Sequence, residues 1–169
     1  GGAITPPPEY YHIIRDICDE FDILFVVDEV MTGFGRTGAN FAIEHWGVAP
    51  DMIVFAKGAS AGYYPLGGII ISDAIYKVLK DGTKGIFAPG HTYSGTPMAG
   101  AVGVAVHEYI QRHGLMENVK QLQGYLWEQL QTLSKYRIVG DIRGRGFMLG
   151  MEFVRDRQTK EPFPCQEPG

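Results

Sequence analysis

Two stretches of the sequence share a pattern in which a short apolar run leads to a charged residue and then to a glycine-rich segment. The first run, residues 23–27, ends at the acidic pair Asp28-Glu29, and the second, residues 52–55, is followed closely by Lys57. Both runs are short and rich in β-branched and aromatic residues, which predicts buried strands. Open α/β sheets present their chemistry at the carboxyl ends of strands, so the pattern places Asp28 and Lys57 at such an edge.

The segments around these strands predict further helices and one more strand. Apolar residues at helical spacing predict amphipathic helices over 10–21 and 115–133, and small residues characterise a third helix over 98–112. A strand at 68–72 should run antiparallel to the other two, because the connection before it is short for a parallel crossover. Asp73 should then cap the next helix.

The pattern of predicted elements changes near residue 97, which is the best candidate for a domain boundary within the chain. Before it the chain alternates strands and glycine-rich turns, with a short helix or turn at 41–46. After the long helices, residues 137–139 and 147–154 are predicted strands on either side of a glycine-rich loop at 140–146. The second part therefore resembles the start of another α/β domain.

Composition and residue spacing argue against several functional classes. The net charge is −4 with no basic run, which disfavours nucleic acid and anionic membrane surfaces as partners. No stretch reaches the roughly 18 apolar residues of a membrane span. Cys18 and Cys165 are predicted to be free thiols, which favours a reducing, cytoplasmic location. His107 and His113 have the wrong spacing for a zinc pair on one helical face, so no metal site is predicted.

The two charged residues together match the needs of one cofactor. A lysine in an apolar, glycine-walled loop can form a Schiff base, because desolvation disfavours its ammonium form. Pyridoxal phosphate needs such a lysine at its aldehyde and an acid at its ring nitrogen, the roles open to Lys57 and Asp28. The hydroxyl of Thr92, in a polar segment at 90–97, could donate a hydrogen bond to the phosphate.

Two other classes of protein fit parts of the same pattern. Residues 23–29 also read as the acidic strand that positions Mg²⁺ in P-loop ATPases. That interpretation needs a GxxxxGK[ST] loop, which this chain lacks, although a longer parent could carry one. The third alternative is a non-catalytic interaction module that keeps the fold and binds no cofactor.

Three motifs resemble the class III pyridoxal-phosphate aminotransferases, the ω-aminotransferase group. DEVMTGFGRTG at 28–38 resembles the acidic strand end of that family, and AKGASAGYYPLG at 56–67 resembles its lysine loop. GHTYSGTPMA at 90–99 is similar to the segment that carries its phosphate-binding threonine. A weaker fourth motif, GDIRGRG at 140–146, is similar to the opening of the family's small domain.

The resemblance implies a role for each of four residues. Lys57 would form the Schiff base with pyridoxal phosphate and move protons, and Asp28 would pair with the ring nitrogen. Val30 would pack on one face of the ring. Thr92 would bind the cofactor phosphate in the partner's site, so that the complete protein would be a homodimer with shared active sites.

The implied fold is the type I aminotransferase fold, an α/β architecture that this chain would hold only in part. Residues 1–97 would form the C-terminal part of the large cofactor-binding domain, 98–133 connecting helices, and 134–169 the start of the small domain. Both ends look like cuts through a longer chain. Because family members draw further site residues from upstream and downstream, we expect these 169 residues to be inactive alone.

The implied reaction is ping-pong transfer of an amino group between an amine or ω-amino acid and a 2-oxo acid. An aminomutase or a decarboxylase of the same fold is the nearest alternative, and Met31-Thr32-Gly33 also occurs in the aminomutase branch. Arg36-Thr37-Gly38 favours the ω-aminotransferase branch. Met31 replaces a glutamine usual in ornithine and acetylornithine members, which disfavours those substrates.

Overall fold

The computed structural model describes residues 2–82 and 90–164, which form α-helices, β-strands and short 3₁₀ helices. In order they are α1 (Tyr10–Glu20), β1 (Val26–Asp28), β2 (Met52–Phe55), β3 (Gly68–Ile71), α2 (Asp73–Gly82), α3 (Pro97–Arg112), α4 (Leu115–Gln131), β4 (Val139–Arg145) and β5 (Met148–Phe153). Short 3₁₀ helices cover Ala42–Trp46, Lys57–Ala59 and Thr132–Lys135. None of the described helices has the length and apolar character needed to cross a bilayer.

The first sheet has the order β1-β2-β3 and carries both charged strand ends. Strand β1 pairs in parallel with β2, with Asp28 opposite Val54. Strand β3 runs antiparallel to β2, with Gly68 opposite Phe55, which confirms the prediction made from the short connection. A Cβ at position 68 would lie 2.7 Å from Cζ of the Phe55 ring, so any side chain there would displace that ring.

Helix α1 covers one face of this sheet and contributes to the main core. Its Cys18 is buried with Phe25, Val27 and Ile43, and the Cys18 thiol is free as predicted. Cys165 lies outside the described residues. The ring of Tyr11 packs edge-on against Trp46, with centroids 4.8 Å apart, and so joins α1 to the first 3₁₀ helix. The core therefore lies between α1, β1 and the 3₁₀ helix Ala42–Trp46.

The long helices follow the prediction closely, with small differences at their ends. Helix α3 begins with Pro97, whose fixed φ suits a first helical position. Gly114 adopts φ +58° and turns the chain into α4, which ends at Gln131 and tightens into the 3₁₀ helix Thr132–Lys135. Ser72 precedes α2 and accepts a long hydrogen bond of 3.5 Å from the Ile75 amide, so the cap predicted for Asp73 is wrong by one residue.

Strands β4 and β5 form a second, antiparallel sheet, and here the sequence-based prediction was wrong in part. Residues 140–146 were predicted to be a loop, whereas β4 runs through Arg145. Gly140 lies in the strand because the fully buried Val154 approaches it: a Cβ at 140 would be 2.6 Å from a Val154 methyl carbon. The glycines thus serve close packing, and only the turn at Gly146-Phe147 lies between the strands.

Candidate active site

The carboxyl ends of β1 and β2 bring the two charged segments side by side. Asp28 is the last residue of β1, and Lys57 lies three positions beyond Val54, its neighbour in β2. The Glu29 amide donates a hydrogen bond of 2.9 Å to the Val54 carbonyl and extends the pairing by one step. Both charged segments therefore leave the sheet at the same edge, as the strand pattern predicts.

Asp28 is exposed, and one of its carboxylate oxygens is already oriented by the backbone. Its Oδ1 accepts a hydrogen bond of 2.9 Å from the Val30 amide. Within residues 2–82 and 90–164, Oδ2 accepts no hydrogen bond and the carboxylate pairs with no cation. The side chain of Val30 is half-buried beside it. Asp28 can therefore receive a proton-bearing group without giving up an existing ion pair.

Lys57 opens the 3₁₀ helix Lys57–Ala59 and has an unusual backbone conformation. Its φ of +40° lies in the left-handed region, which is costly for a residue with a side chain. The lysine side chain is exposed and makes no ion pair with any described residue. The apolar walls expected around Lys57 are thus not supplied by this part of the chain. Its amine is free to meet a ligand.

A tight contact joins the segment between β1 and the 3₁₀ helix Ala42–Trp46 (residues 29–41, the acidic loop) to the lysine loop at residues 56–67. A Cβ at Gly58 would lie 3.1 Å from Cβ of Phe34 and 3.4 Å from the Gly33 carbonyl oxygen. The ring of Phe34 packs edge-on against Phe41 and Phe55, at centroid distances of 5.6 and 5.7 Å. Phe34 therefore fixes the spacing between the two loops, a role that its position in a glycine-rich segment did not suggest.

Glu29, adjacent to Asp28, has the opposite environment. Only 3% of its surface is exposed, and its carboxylate accepts hydrogen bonds from the amides of Ala42 (2.9 Å) and Ile43 (2.8 Å) and from the Thr32 hydroxyl. A carboxylate held by these donors is not available to position Mg²⁺ or water, which counts against the P-loop ATPase alternative. Sequence reasoning grouped the two acids, whereas alternation along a strand separates them.

Thr92 lies apart from these residues in the described contacts. It is exposed, in a turn closed by the hydrogen bond from the Ser94 amide to the His91 carbonyl (2.9 Å), shortly before α3 begins. No contact within the described residues joins Thr92 to Asp28 or Lys57. The structure thus brings Asp28, Val30 and Lys57 to one edge and leaves Thr92 outside it.

The acidic loop is also tied to its neighbours through Thr37. The ring nitrogen Nε2 of His45 lies 3.0 Å from the Thr37 hydroxyl and 3.1 Å from its carbonyl oxygen, and Thr37 is buried. Burial, with the nearby Arg145 guanidinium, lowers the pKa of His45 below its usual value. This shift favours the neutral form of His45, whose ring can still donate one hydrogen bond to the Thr37 carbonyl.

A cavity of about 540 Å³ opens on the α1 side of the sheet edge. Its lining includes Asp28, Met31 and Arg145, together with Ile4 and Tyr10. Lys57 does not line this cavity in the described structure. The Asp28 carboxylate therefore borders open space at the sheet edge.

Comparison with known proteins identifies the family. The family model "Aminotransferase class-III" matches residues 1–167. The chain belongs to the class III aminotransferases. This confirms the family suggested by the three sequence motifs, and it replaces the P-loop ATPase alternative. The aminotransferase YodT of Bacillus subtilis, a relative of uncharacterised function, is 42% identical over 168 residues, which make up 99% of this chain and 38% of YodT.

Solved structures of transaminases share the fold. A transaminase from the marine bacterium Virgibacillus aligns with a TM-score of 0.89 and 44% identity, over 96% of this chain and 37% of that one. A taurine:2-oxoglutarate aminotransferase from Bifidobacterium kashiwanohense, solved in complex with PLP and glutamate, aligns with a TM-score of 0.89 and 40% identity, over 95% and 36% of the two chains. The α/β architecture is thus a part of the type I fold, and the chain spans little more than a third of these relatives.

The residues at the sheet edge fit the cofactor of this family, pyridoxal phosphate. The cofactor requires an acid for its ring nitrogen and an amine for its aldehyde. Asp28 offers an exposed carboxylate that a backbone amide already orients, and Lys57 offers an exposed amine just beyond the end of the neighbouring strand. Neither group is engaged by an opposite charge among the described residues.

Proposed function

We propose that the protein carrying this chain is a pyridoxal-phosphate-dependent transaminase, which moves an amino group between an amine or ω-amino acid and a 2-oxo acid. The observation that supports the proposal best is the parallel pairing of β1 with β2, which delivers Asp28 and Lys57 to one edge of the sheet. Family membership supports the reaction class.

Each residue at the edge has a definite task in this reaction. Asp28, oriented by the Val30 amide, would hold a proton on the ring nitrogen of the cofactor. Nζ of Lys57 would bind the aldehyde carbon and, once released by substrate, carry a proton from and to the reacting carbon. When bound, the cofactor supplies a sink for the electrons left when a Cα–H bond breaks. The half-buried Val30 would support one face of the ring.

Three further features belong to the proposal. The complete protein would be a cytoplasmic homodimer. Thr92, exposed in its turn before α3, would hold the cofactor phosphate in the partner's site. The remaining site residues would come from parts of the protein outside this chain, so these 169 residues would not turn over substrate alone.

The experiment that tests the proposal traps the lysine chemically. The protein is mixed with pyridoxal phosphate, reduced with borohydride and mapped by peptide mass. We expect one labelled lysine, Lys57, whereas Lys77, an exposed lysine of α2, stays unlabelled and serves as the internal control. Asp28→Asn keeps the shape of the side chain and should lower transamination of an amine with pyruvate about 100-fold.

The possible results separate the proposal from its alternatives. Scattered or absent label on a folded protein would refute a cofactor site at Lys57. A Lys57 label with no amine transfer, but with isomerised or decarboxylated product, would instead identify an aminomutase or a decarboxylase.

A further inference from the structure

Glu29 is a charged side chain buried in the described structure without a cation beside it. Only 3% of its surface is exposed, and the ion pairs of residues 2–82 and 90–164 do not include it. Burying a carboxylate is costly unless donors replace its water. The amides of Ala42 and Ile43 and the hydroxyl of Thr32 replace that water for Glu29.

The hydrogen bonds of Glu29 join the beginning of the acidic loop to the residues that follow its end. Its Oε1 accepts the Ile43 amide at 2.8 Å, and its Oε2 accepts both the Ala42 amide at 2.9 Å and the Thr32 hydroxyl. The backbone carbonyl of Glu29 also accepts the Gly33 amide at 2.9 Å. Residues 29–43 are thereby fixed at both ends to one side chain.

The same residue is attached to the sheet next to Asp28. The Glu29 amide donates to the Val54 carbonyl at 2.9 Å, immediately after the last paired residue of β1. The Asp28 carboxylate is exposed and accepts a hydrogen bond only from the Val30 amide among the described residues. The direction of the Asp28 carboxylate therefore depends on how firmly Glu29 and the loop behind it are anchored.

The clamped loop also reaches the lysine. Phe34 lies inside the loop, between the rings of Phe41 and Phe55, and its Cβ would be 3.1 Å from a Cβ at Gly58. A shift of the loop would therefore press on Gly58 or release it, and Lys57 is the residue before Gly58. The positions of Asp28 and Lys57 therefore both depend on the loop that Glu29 holds in place.

We propose that Glu29 is a positioning residue of the reaction: its buried carboxylate sets the orientation of Asp28 toward the cofactor ring and the placement of the Lys57 loop. This inference rests on the proposed transaminase function. It assigns Glu29 no contact with substrate or cofactor. Its effect is geometric, and a misplacement of about 1 Å can cost about 100-fold in rate.

The test compares Glu29→Gln with Glu44→Gln in the protein that carries this chain, reconstituted with pyridoxal phosphate. Glutamine at 29 keeps the volume but presents an NH₂ donor to the Ala42 or Ile43 amide, which is also a donor. Glu44 is the matched control, since its exposed carboxylate accepts the Phe41 amide at 2.8 Å at the start of the same 3₁₀ helix. Glu44→Gln should leave every readout unchanged.

Three readouts distinguish positioning from mere structural support. For Glu29→Gln we expect kcat to fall about 10–100-fold with a smaller change in KM, because geometry at the reacting atoms is disturbed. The visible absorption band of the bound cofactor should shift, since Asp28 would hold the ring proton less well. Without cofactor, hydrogen exchange at Ala42 and Ile43 should accelerate about tenfold.

A milder pair of variants keeps the test decisive if Glu29→Gln does not fold. Thr32→Val removes one of the donors to Glu29 and leaves both backbone amides in place, so a smaller change of the same sign is expected. Thr32→Ser retains the hydroxyl and should restore the wild-type spectrum and kcat.

The outcomes separate failure of the inference from failure of the proposed function. A wild-type protein without a Lys57 label or cofactor band would refute the transaminase function and this inference with it. A normal wild type, with a folded Glu29→Gln variant of unchanged absorption band and kcat, would overturn the positioning role alone. Unchanged values in Thr32→Val would do the same where Glu29→Gln is unfolded.

Discussion

Asp51 joins helix α1 to the start of both parallel strands. Its Oδ2 accepts hydrogen bonds from Nη1 of Arg15 at 2.9 Å and from the Phe25 amide at 2.7 Å. Arg15 also pairs with Asp19, and its guanidinium carbon lies 5.6 Å from the centre of the Phe25 ring. The hydrogen bond from Arg15, followed by the one from Phe25, lowers the pKa of Asp51 below its ordinary value. One carboxylate thus fixes the helix against the sheet that carries the candidate site.

Replacing this carboxylate should destabilise the fold in a pH-dependent way. We expect Asp51→Asn to lower the free energy of unfolding by about 1–3 kcal/mol at pH 7, because hydrogen bonds to a charged acceptor are lost. The folded pKa of Asp51 is depressed, so its contribution is complete above the ordinary aspartate value of about 4 and is lost as the pH falls through the folded pKa. Urea unfolding at pH 7 and at successively lower pH should show the difference between wild type and variant shrinking below about pH 4.

The matched control is the other acid on the same arginine. The Asp19 side chain is 66% exposed, against 27% for Asp51, although its oxygen lies 2.7 Å from Arg15. Asp19→Asn should cost less than about 0.5 kcal/mol, since solvent screens exposed pairs. Equal losses for the two variants would contradict the role given to Asp51.

The neighbouring acids Asp28 and Glu29, at the end of β1, show how much of the site can be predicted from sequence at the residue scale. The strand pattern predicted that Asp28 would leave the sheet at the edge where Lys57 emerges. It did not predict the burial of Glu29, because the amides that hold Glu29 belong to Ala42 and Ile43, in a segment whose return to the strand end leaves no local signal. Alternation of Val27, Asp28 and Glu29 along the strand was the signal available.

At the scale of elements, the turn between β4 and β5 is docked directly on the acidic loop. The Phe147 amide donates to the Arg36 carbonyl at 2.9 Å. A Cβ at Gly146 would lie 2.6 Å from Cα of Thr37 and 2.7 Å from its carbonyl carbon, and the backbone there cannot move aside as a side chain can. The second sheet is therefore in direct contact with the acidic loop, which follows Asp28.

Alanine at Gly146 should therefore cost more than its backbone conformation explains. Gly146 has φ +60°, and Gly114 has φ +58° with nothing within 4 Å of an added Cβ. Gly114→Ala should cost about 1–2 kcal/mol, the usual penalty of the left-handed region. Gly146→Ala should exceed it by about 1–3 kcal/mol, because the methyl group overlaps backbone. Denaturant unfolding of the two variants measures the difference, and equal losses would refute the contact.

The elements that sequence reasoning missed are those in which glycine serves packing. Residues 140–146 were predicted to be a loop from their glycines, yet β4 extends as far as Arg145. At Gly144, a Cβ would lie 2.1 Å from the Met148 carbonyl oxygen, so glycine is required by the closeness of the partner strand. Helices α1, α3 and α4 were predictable because helical periodicity is a local property, whereas contact with another strand is not.

At the scale of the whole molecule, a direct test can decide whether Thr92 serves the active site of the partner subunit. If Thr92 serves the partner's site, Lys57→Ala and Thr92→Val should complement each other in a mixed dimer. One site would then combine an intact Lys57 with an intact Thr92 from the other copy. Co-expression at equal levels should give about a quarter of the wild-type activity, since half of the dimers are mixed and each carries one intact site.

The control for this experiment is each variant expressed alone. Lys57→Ala should be inactive and Thr92→Val weak. If Thr92 acted within its own subunit, no mixed dimer would contain an intact site, and activity would stay at the average of the two parents. That outcome would contradict a shared site.

The family could be predicted from the sequence because three motifs occur together in order, each of which is a local string of residues. The surroundings of Lys57 could not, because burial depends on what packs over a loop rather than on the loop's own composition. The glycines around Lys57 suggested an enclosed amine, whereas the described residues leave it exposed. The reactive residues could thus be predicted from the sequence, whereas the residues that surround them could not.

The contact between Phe34 and Gly58 has a consequence for anyone who would redesign this protein. A Cβ at position 58 would lie only 3.1 Å from the Cβ of Phe34. The residues tolerated at position 34 therefore depend on the residue at position 58, and the reverse also holds. A library that randomises residue 34 to reshape the acidic loop will therefore also change the position of Lys57. Gains in substrate range found there would carry strong epistasis with residue 58, and the efficient search varies both positions together.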